Sequence, residues 1–143
     1  MVFFGIFKGE GYYICLPYCV MNIFLIEDDE IYSEFIRKAL SKNAGYNVKP
    51  FSSAEEALHA INGKLPEVVI IDYKLPGLSG IELYEKIKSK ITDVNRVIML
   101  SALDDGNMVL SFIQKGVRDY VIKDEHVVDS LEAIISGNDE NYF

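Results

Sequence analysis

Short apolar runs alternate five times along the chain with segments of helical periodicity. Runs of this length bounded by polar turns are typical of buried strands, whereas apolar residues at i, i+3 and i+4 predict helices. Strands are predicted at residues 23–26, 46–51, 68–71, 97–100 and 120–122. A helix follows each strand, and this alternation predicts an α/β fold with one parallel sheet covered on both faces.

The apolar spacing also predicts which helical residues face the core. A helix over about residues 30–42 and another over about 105–115 show it clearly. The packing positions predicted for these two helices are Ile31, Phe35, Ile36, Ala39 and Leu40 in the first and Val109, Phe112 and Ile113 in the second.

The order of the strands is predicted from one proline. Pro50 lies in the second predicted strand, and a proline cannot donate a ladder hydrogen bond, so this strand belongs at a sheet edge. The strand order 2-1-3-4-5 satisfies that condition. Its ligand crevice lies at the carboxyl ends of the first and third strands.

Residues whose side chains can bind a ligand or take part in a reaction follow four of the five predicted strands. Glu27 and Asp28 follow the first, Asp72 the third, Ser101 the fourth and Lys123 the fifth. Three carboxylates in one crevice repel each other and require a positive partner, and hard oxygen ligands favour Mg²⁺. A carboxylate beside such a cation can act as a nucleophile toward phosphorus, with Lys123 and Ser101 contacting the phosphoryl oxygens.

Each of these residues taken alone has a purely structural explanation. An acidic run at residues 27–30 is typical of a helix N-terminus, and Asp72 is also a common kind of residue at a strand end. Lys123 and Ser101 alone would be read as solvated surface, and Tyr120 as a packed aromatic. The phosphoryl-transfer interpretation rests on their convergence at one edge of the sheet, and for Asp29 and Glu30 we keep the structural explanation.

Four ordered motifs resemble those of the receiver domain of two-component response regulators. They are Phe-Leu-Ile-Glu-Asp-Asp at 24–29, Ile-Asp-Tyr-Lys-Leu-Pro-Gly-Leu-Ser-Gly at 71–80, Leu-Ser-Ala at 100–102 and Gly-Val-Arg-Asp-Tyr-Val-Ile-Lys at 116–123. The resemblance covers about residues 22–136. It implies a flavodoxin-like, doubly wound five-stranded parallel sheet with five helices, and a function in phosphorelay signal transduction.

The resemblance also implies a role for each matching residue. Asp72 would be the phosphoacceptor, assisted by Lys123 and Ser101. Ser101 and Tyr120 match the switch pair, in which the hydroxyl moves toward the phosphoryl group and the ring follows it inward. Such a domain catalyses only its own phosphorylation and dephosphorylation, so it is a switch and not an enzyme acting on a separate substrate.

The metal ligands implied by the resemblance come from three segments. Asp28 and Asp72 would bind Mg²⁺ directly, Glu27 would act through water, and the backbone carbonyl of Lys74 would complete the set. One residue departs from the family pattern: Asp124 follows Lys123, where most receivers have a proline, often in a cis peptide. We expect a trans bond with an altered loop or a strained peptide, because a cis bond before a non-proline residue costs about 2.5–4 kcal/mol.

The composition of the chain limits the kinds of partner that it can bind. The net charge of -8 argues against direct nucleic-acid binding, which depends on Lys and Arg. The expected partner is a sensor histidine kinase or a phosphotransfer protein, with homodimer formation left open.

No cationic stretch precedes the apolar N-terminus and no run is long enough for membrane insertion. Cys15 and Cys19 form no disulfide pattern, so we expect reduced thiols and a cytoplasmic location.

The first twenty residues differ from the rest of the chain. They are apolar and aromatic, whereas a strand opens directly after Met21. We therefore expect an N-terminal extension over 1–20 that is not part of the core, and a receiver domain over 21–143. Met21 is the expected natural start, and an oligomer contact is the alternative role for the extension.

Two other functions compete with the receiver. Haloacid-dehalogenase-type phosphatases also use a strand-end aspartate, but they carry a second acid two residues later, where this chain has Lys74. A receiver-like binding module that never uses phosphate is the second alternative. The intact set of Asp28, Asp72, Ser101 and Lys123 argues against it, and the missing proline after Lys123 keeps it open as an alternative.

Overall fold

A computed structural model describes residues 3–9, 12–18, 20–102 and 106–137. Seven strands and five α-helices lie within these residues. They are β1 (Phe3–Gly9), β2 (Tyr12–Tyr18), β3 (Met21–Ile26), α1 (Glu30–Leu40), β4 (Tyr46–Phe51), α2 (Ala54–Ile61), β5 (Val68–Asp72), α3 (Gly80–Ile87), β6 (Arg96–Ser101), α4 (Gly106–Gln114), β7 (Asp119–Ile122) and α5 (Val127–Ser136), with a 3₁₀ turn at Lys88–Lys90.

The five strands from β3 onward form one parallel sheet in the order β4-β3-β5-β6-β7. Counted from β3, this is the predicted order 2-1-3-4-5, and the prediction is confirmed. Pro50 lies on β4 at the sheet edge, opposite Leu25. On its outer side β4 has no neighbouring strand among the described residues. The N–H that Pro50 lacks therefore interrupts no hydrogen-bond ladder there.

The sheet is covered on both faces, because successive side chains of each strand point to opposite sides. In β5, Val69 and Ile71 pack with α2, α3 and α4, whereas Val68 and Ile70 pack with α1 and α5. All five residues of β5 are buried. The prediction of a doubly wound sheet with a central, fully buried third strand is therefore confirmed.

Helix α1 corrects one sequence-based prediction. Its i, i+4 spacing offers two apolar stripes about 100° apart, and the sheet covers only the one with Ile36 and Leu40, both fully buried. Ile31 and Phe35 lie on the other stripe and are 85% and 51% exposed, so their prediction as core residues is wrong. The prediction of Ile113 as a packing position in α4 is also wrong, because Ile113 is 59% exposed. Phe112 is the fully buried residue of that helix, and Met108 packs partly against the same core.

Strands β1 and β2 form a separate antiparallel hairpin that the sequence did not predict. Phe3 pairs with Tyr18 and Gly9 with Tyr12, and the hairpin is a two-stranded sheet distinct from the five-stranded one. The boundary between an extension over 1–20 and a domain over 21–143 stays a prediction. The thiols of Cys15 and Cys19 lie outside the described side chains.

Candidate functional site

The loops at the carboxyl edge of the sheet are held by hydrogen bonds that continue the strand pairing. Glu27 N–H donates to Phe51 O at 3.1 Å, Tyr73 N–H to Leu100 O at 2.8 Å, and Lys123 N–H to Ser101 O at 2.8 Å. The residues that follow β3, β5 and β7 are thus fixed relative to their neighbours. This is the topological switch point, where doubly wound folds bind ligands.

Three carboxylates converge at this edge as predicted. Glu27 and Asp72 are buried, with 2% and 5% of their surface exposed, whereas Asp28 is exposed to solvent. One oxygen from each of Glu27, Asp28 and Asp72 lies within 4.8 Å of the others. A set of oxygen ligands open to solvent on one side fits a small divalent cation that keeps part of its water.

Lys123 provides a positive charge inside this cluster. Its Nζ lies 2.6 Å from Glu27 Oε2 and 3.2 Å from Asp72 Oδ1. Burial raises the pKa of Glu27 to about 7, and the neighbouring Asp72 adds to that effect while Lys123 opposes it. Burial alone would lower the pKa of Lys123, but Glu27 and Asp72 outweigh it and the pKa is raised. The ammonium therefore stays charged in the crevice.

The loop after β3 holds Glu27 in place. Asp29 N–H donates to Glu27 Oε1 at 3.2 Å, and the Asp29 carboxylate accepts from Ile31 N–H and Tyr32 N–H at the start of α1. The structural role expected for Asp29 is confirmed, since it is the N-cap of α1. Glu27 is tied to this cap and to Lys123 at the same time.

The segment after Asp72 is shaped by two glycines whose role sequence reasoning missed. A Cβ added at Gly80 would lie 2.1 Å from Asp72 O, and one at Gly77 would lie 2.7 Å from Glu55 Oε1. Glu55 on α2 accepts from Leu78 N–H at 2.8 Å. Gly80 thus lets the start of α3 approach the backbone of Asp72, and Glu55 anchors the loop that contains Lys74.

A cavity of about 320 Å³ opens beside Asp72. Ser101, Lys74 and Lys123 line it together with Met108, whose Sδ lies 3.7 Å from the Ser101 hydroxyl that donates to it. Four of the predicted site residues therefore share one cavity. Tyr120 lies on β7 and is 38% exposed, so its ring points outward.

The peptide bond between Lys123 and Asp124 is trans, which is one of the two expected outcomes. The loop that follows is turned by Asp124 itself. Its N–H donates to Ile122 O at 2.9 Å, and its carboxylate accepts from His126 N–H at 2.8 Å. An Asx-type turn therefore leads from Lys123 into α5 in place of a proline.

One further contact of Lys123 had no sequence signal. Its Nζ lies 4.7 Å from the centroid of the Tyr32 ring. Tyr32 belongs to the first turn of α1, and burial, together with the charges of Glu27 and Asp72, raises its pKa to about 12. The phenol is therefore neutral beside the ammonium.

Fold and site together define the class: a doubly wound α/β domain with an acidic, lysine-containing crevice at its switch point. More particularly, residues 23–135 match the response regulator receiver domain. The chain belongs to that family, whose members act in the phosphorelay signalling of two-component systems.

Known relatives agree with this assignment. The transcriptional regulatory protein AfsQ1 of Streptomyces coelicolor is 30% identical over 102 residues, which are 71% of this chain and 44% of that protein. The C4-dicarboxylate transport transcriptional regulatory protein DctD of Rhizobium meliloti is 33% identical over 105 residues, 71% of this chain and 22% of that protein. The chain thus spans less than half the length of either relative.

Solved structures show the same fold. The receiver domain of the Francisella response regulator 1452 superposes with a TM-score of 0.68 at 29% identity, covering 82% of this chain and 93% of that one. Over the residues that the structure describes, no helix combines the length and the apolar character that crossing a bilayer requires.

Proposed function

We propose that Asp72 accepts a phosphoryl group from a phosphohistidine of a sensor histidine kinase or phosphotransfer protein. The observation that supports this most is the environment of its carboxylate, which is 5% exposed at the end of β5. It lies within 4.8 Å of two further carboxylates and 3.2 Å from an ammonium. A carboxylate in such a setting is a suitable nucleophile toward phosphorus.

In the proposed step, an Asp72 oxygen forms a bond to phosphorus while the bond between phosphorus and the donor imidazole nitrogen breaks. The electron pair of the broken bond stays on that nitrogen, which takes up a proton from solvent. Lys123 pairs with a phosphoryl oxygen, and the Ser101 hydroxyl donates to another after leaving Met108 Sδ. Both groups already line the cavity beside Asp72.

The acidic cluster is proposed to hold Mg²⁺. Asp28 and Asp72 would bind it directly, Glu27 through water, and the carbonyl of Lys74 would complete the set. When bound, the ion supplies positive charge that neutralises the phosphoryl oxygens. The chain keeps one of these carboxylates in position, because Asp29 N–H and Lys123 Nζ both donate hydrogen bonds to Glu27.

Ser101 and Tyr120 are proposed as the switch pair. In this structure the Ser101 hydroxyl donates to Met108 Sδ and Tyr120 is partly exposed on β7, an arrangement that corresponds to the resting state. Movement of Ser101 toward a phosphoryl group would vacate space for the ring. The output is then a population shift between two packings of α4, β7 and α5.

The proposal is tested with phosphoramidate, a small donor with a nitrogen–phosphorus bond. Intact-mass spectrometry should show a gain of one phosphoryl group that needs Mg²⁺ and is absent from Asp72→Asn. Asp93→Asn, which changes an exposed aspartate at the opposite edge of the sheet, is the matched control and should behave as the wild type.

The other outcomes separate the alternatives. No mass gain with any donor would favour a phosphate-independent binding module, the function that Asp124 in place of the proline leaves open. Rapid turnover of phosphate esters would favour a phosphatase.

A further inference from the structure

We propose that Tyr32 is a positioning residue for the phosphoryl transfer, and that its ring holds the Lys123 ammonium against Asp72. This inference rests on the proposed function of Asp72. It begins from the Lys123 Nζ lying 4.7 Å from the Tyr32 ring centroid, a distance at which the ring face attracts a cation.

The lysine needs such a partner because its present anionic partners change during the reaction. In this structure Nζ is bound by Glu27 at 2.6 Å and Asp72 at 3.2 Å. Phosphorylation requires the ammonium to turn to a phosphoryl oxygen, and Glu27 is also needed by the acidic cluster. The neutral ring offers no anion that competes with the phosphoryl oxygen, and its attraction matters most once the ammonium has left the carboxylates that hold it in the resting state.

Tyr32 itself is firmly placed. Its N–H donates to the Asp29 side chain at 3.1 Å, so the ring is carried by the same loop that fixes Glu27. The ring of Phe35 packs against it with centroids 6.0 Å apart. The Lys123 side chain is 16% exposed, and desolvation strengthens a cation–π contact.

The hydroxyl group does not explain why a tyrosine occupies position 32. Among the described residues, the buried Tyr32 Oη has no hydrogen-bond partner, and leaving a buried hydroxyl unpaired is unfavourable. The ring face, not the polar end, therefore makes the useful contact.

The experiment compares Tyr32→Phe, which keeps the ring, with Tyr32→Leu, which removes it. Phosphorylation by phosphoramidate with saturating Mg²⁺ should be within about twofold of the wild type for Tyr32→Phe and about 2- to 30-fold slower for Tyr32→Leu. Tyr46→Leu, the same change in a half-buried tyrosine at the start of β4, is the matched control and should leave the rate unchanged. Equal rates for Tyr32→Leu and the wild type would overturn the proposal, as would a loss in Tyr32→Phe as large as in Tyr32→Leu.

A second readout does not depend on phosphoryl transfer. The ring current of Tyr32 should shift the Lys123 ε-proton resonances upfield in the wild type and in Tyr32→Phe, and this shift should vanish in Tyr32→Leu. Unshifted Lys123 resonances in the wild type would overturn the positioning role even if Asp72 is phosphorylated. If the wild type gains no phosphoryl group, the proposed function fails, and with it the role of the contact in transfer, whereas a retained shift would still show the contact.

Discussion

At the scale of single residues, the site is a balance of charges in which Lys123 opposes two buried carboxylates. Glu27 and Asp72 would repel each other at close range, and the raised pKa of Glu27, about 7, reflects its burial and that repulsion. The ammonium offsets both effects through contacts of 2.6 and 3.2 Å. The stability of the metal-free protein should therefore depend on Lys123.

Lys123→Ala should lower the free energy of unfolding by about 1–3 kcal/mol in the absence of divalent cations, because two buried carboxylates lose their charged partner. Urea unfolding with and without millimolar Mg²⁺ measures the effect. Mg²⁺ should stabilise the variant more than the wild type, since its charge replaces the missing ammonium. Lys38→Ala, which removes an exposed lysine of α1, is the control, and an equally large loss there would contradict this account.

At the scale of elements, the approach of α3 to β5 sets the position of the end of β5, which carries the proposed phosphoacceptor Asp72. Gly80 is the first residue of α3, and its N–H donates to Tyr73 O at 3.3 Å. The absence of a side chain there lets the helix lie directly on the backbone of Asp72. A larger residue would have to displace the part of the strand that carries the Asp72 carboxylate.

Gly80→Ala should destabilise the protein by about 1–3 kcal/mol or more and slow phosphorylation, because its Cβ would lie 2.1 Å from Asp72 O. Thermal unfolding and the phosphoramidate reaction measure the two effects. Gly106→Ala is the matched change at the start of α4, where an added Cβ meets no atom of the described residues within 4 Å. That control should be neutral or up to about 1 kcal/mol more stable, and equal behaviour of the two variants would refute the steric explanation.

Helix α1 gives a second prediction at this scale. Ile36→Ala should cost about 2–5 kcal/mol of unfolding free energy, because Ile36 is fully buried against the sheet. Ile31→Ala, at a position 85% exposed, should change it by no more than about 0.5 kcal/mol. Chemical denaturation of both variants tests the orientation of the helix, and a larger loss for Ile31→Ala would reverse it.

The elements show why some features were predictable and others were not. The run at 68–71 is β-branched throughout, and Pro50 restricts its strand to an edge, so strand identity and order followed from local rules. Which of two stripes on α1 faces the sheet depends on the rotation of the whole helix. The hairpin of β1 and β2 was missed because its strands alternate little between apolar and polar residues.

The site divides in the same way. It was predictable that four side chains would lie together, because the carboxyl ends of parallel strands meet at one edge of the sheet. These are Glu27, Asp72, Ser101 and Lys123. The contact of Tyr32 with Lys123 and the approach of Gly80 to Asp72 depend on distances between separate elements, which no local spacing encodes. Asp124 was recognised as a departure, but its own turn became apparent only from the backbone geometry.

For the whole molecule, we propose that residues 21–143 fold without the preceding twenty. The hairpin strands pair with each other in a sheet of their own, and an isolated hairpin adds little stability. A chain starting at Met21 should keep its unfolding free energy within about 1 kcal/mol. A larger loss would contradict the boundary, and a change from dimer to monomer in light scattering would support the alternative role of the segment as an oligomer contact.

The central claim is that the chain carries its signal as a phosphoryl group on one aspartate. Borohydride reduces an acyl phosphate to a primary alcohol, so treatment of the phosphorylated protein, followed by peptide mass spectrometry, marks the acceptor. The account predicts the alcohol at residue 72 alone, and only when Mg²⁺ was present with the phosphodonor. Reduction at any other carboxylate, or a phosphorylated protein that borohydride leaves unchanged at Asp72, would contradict it.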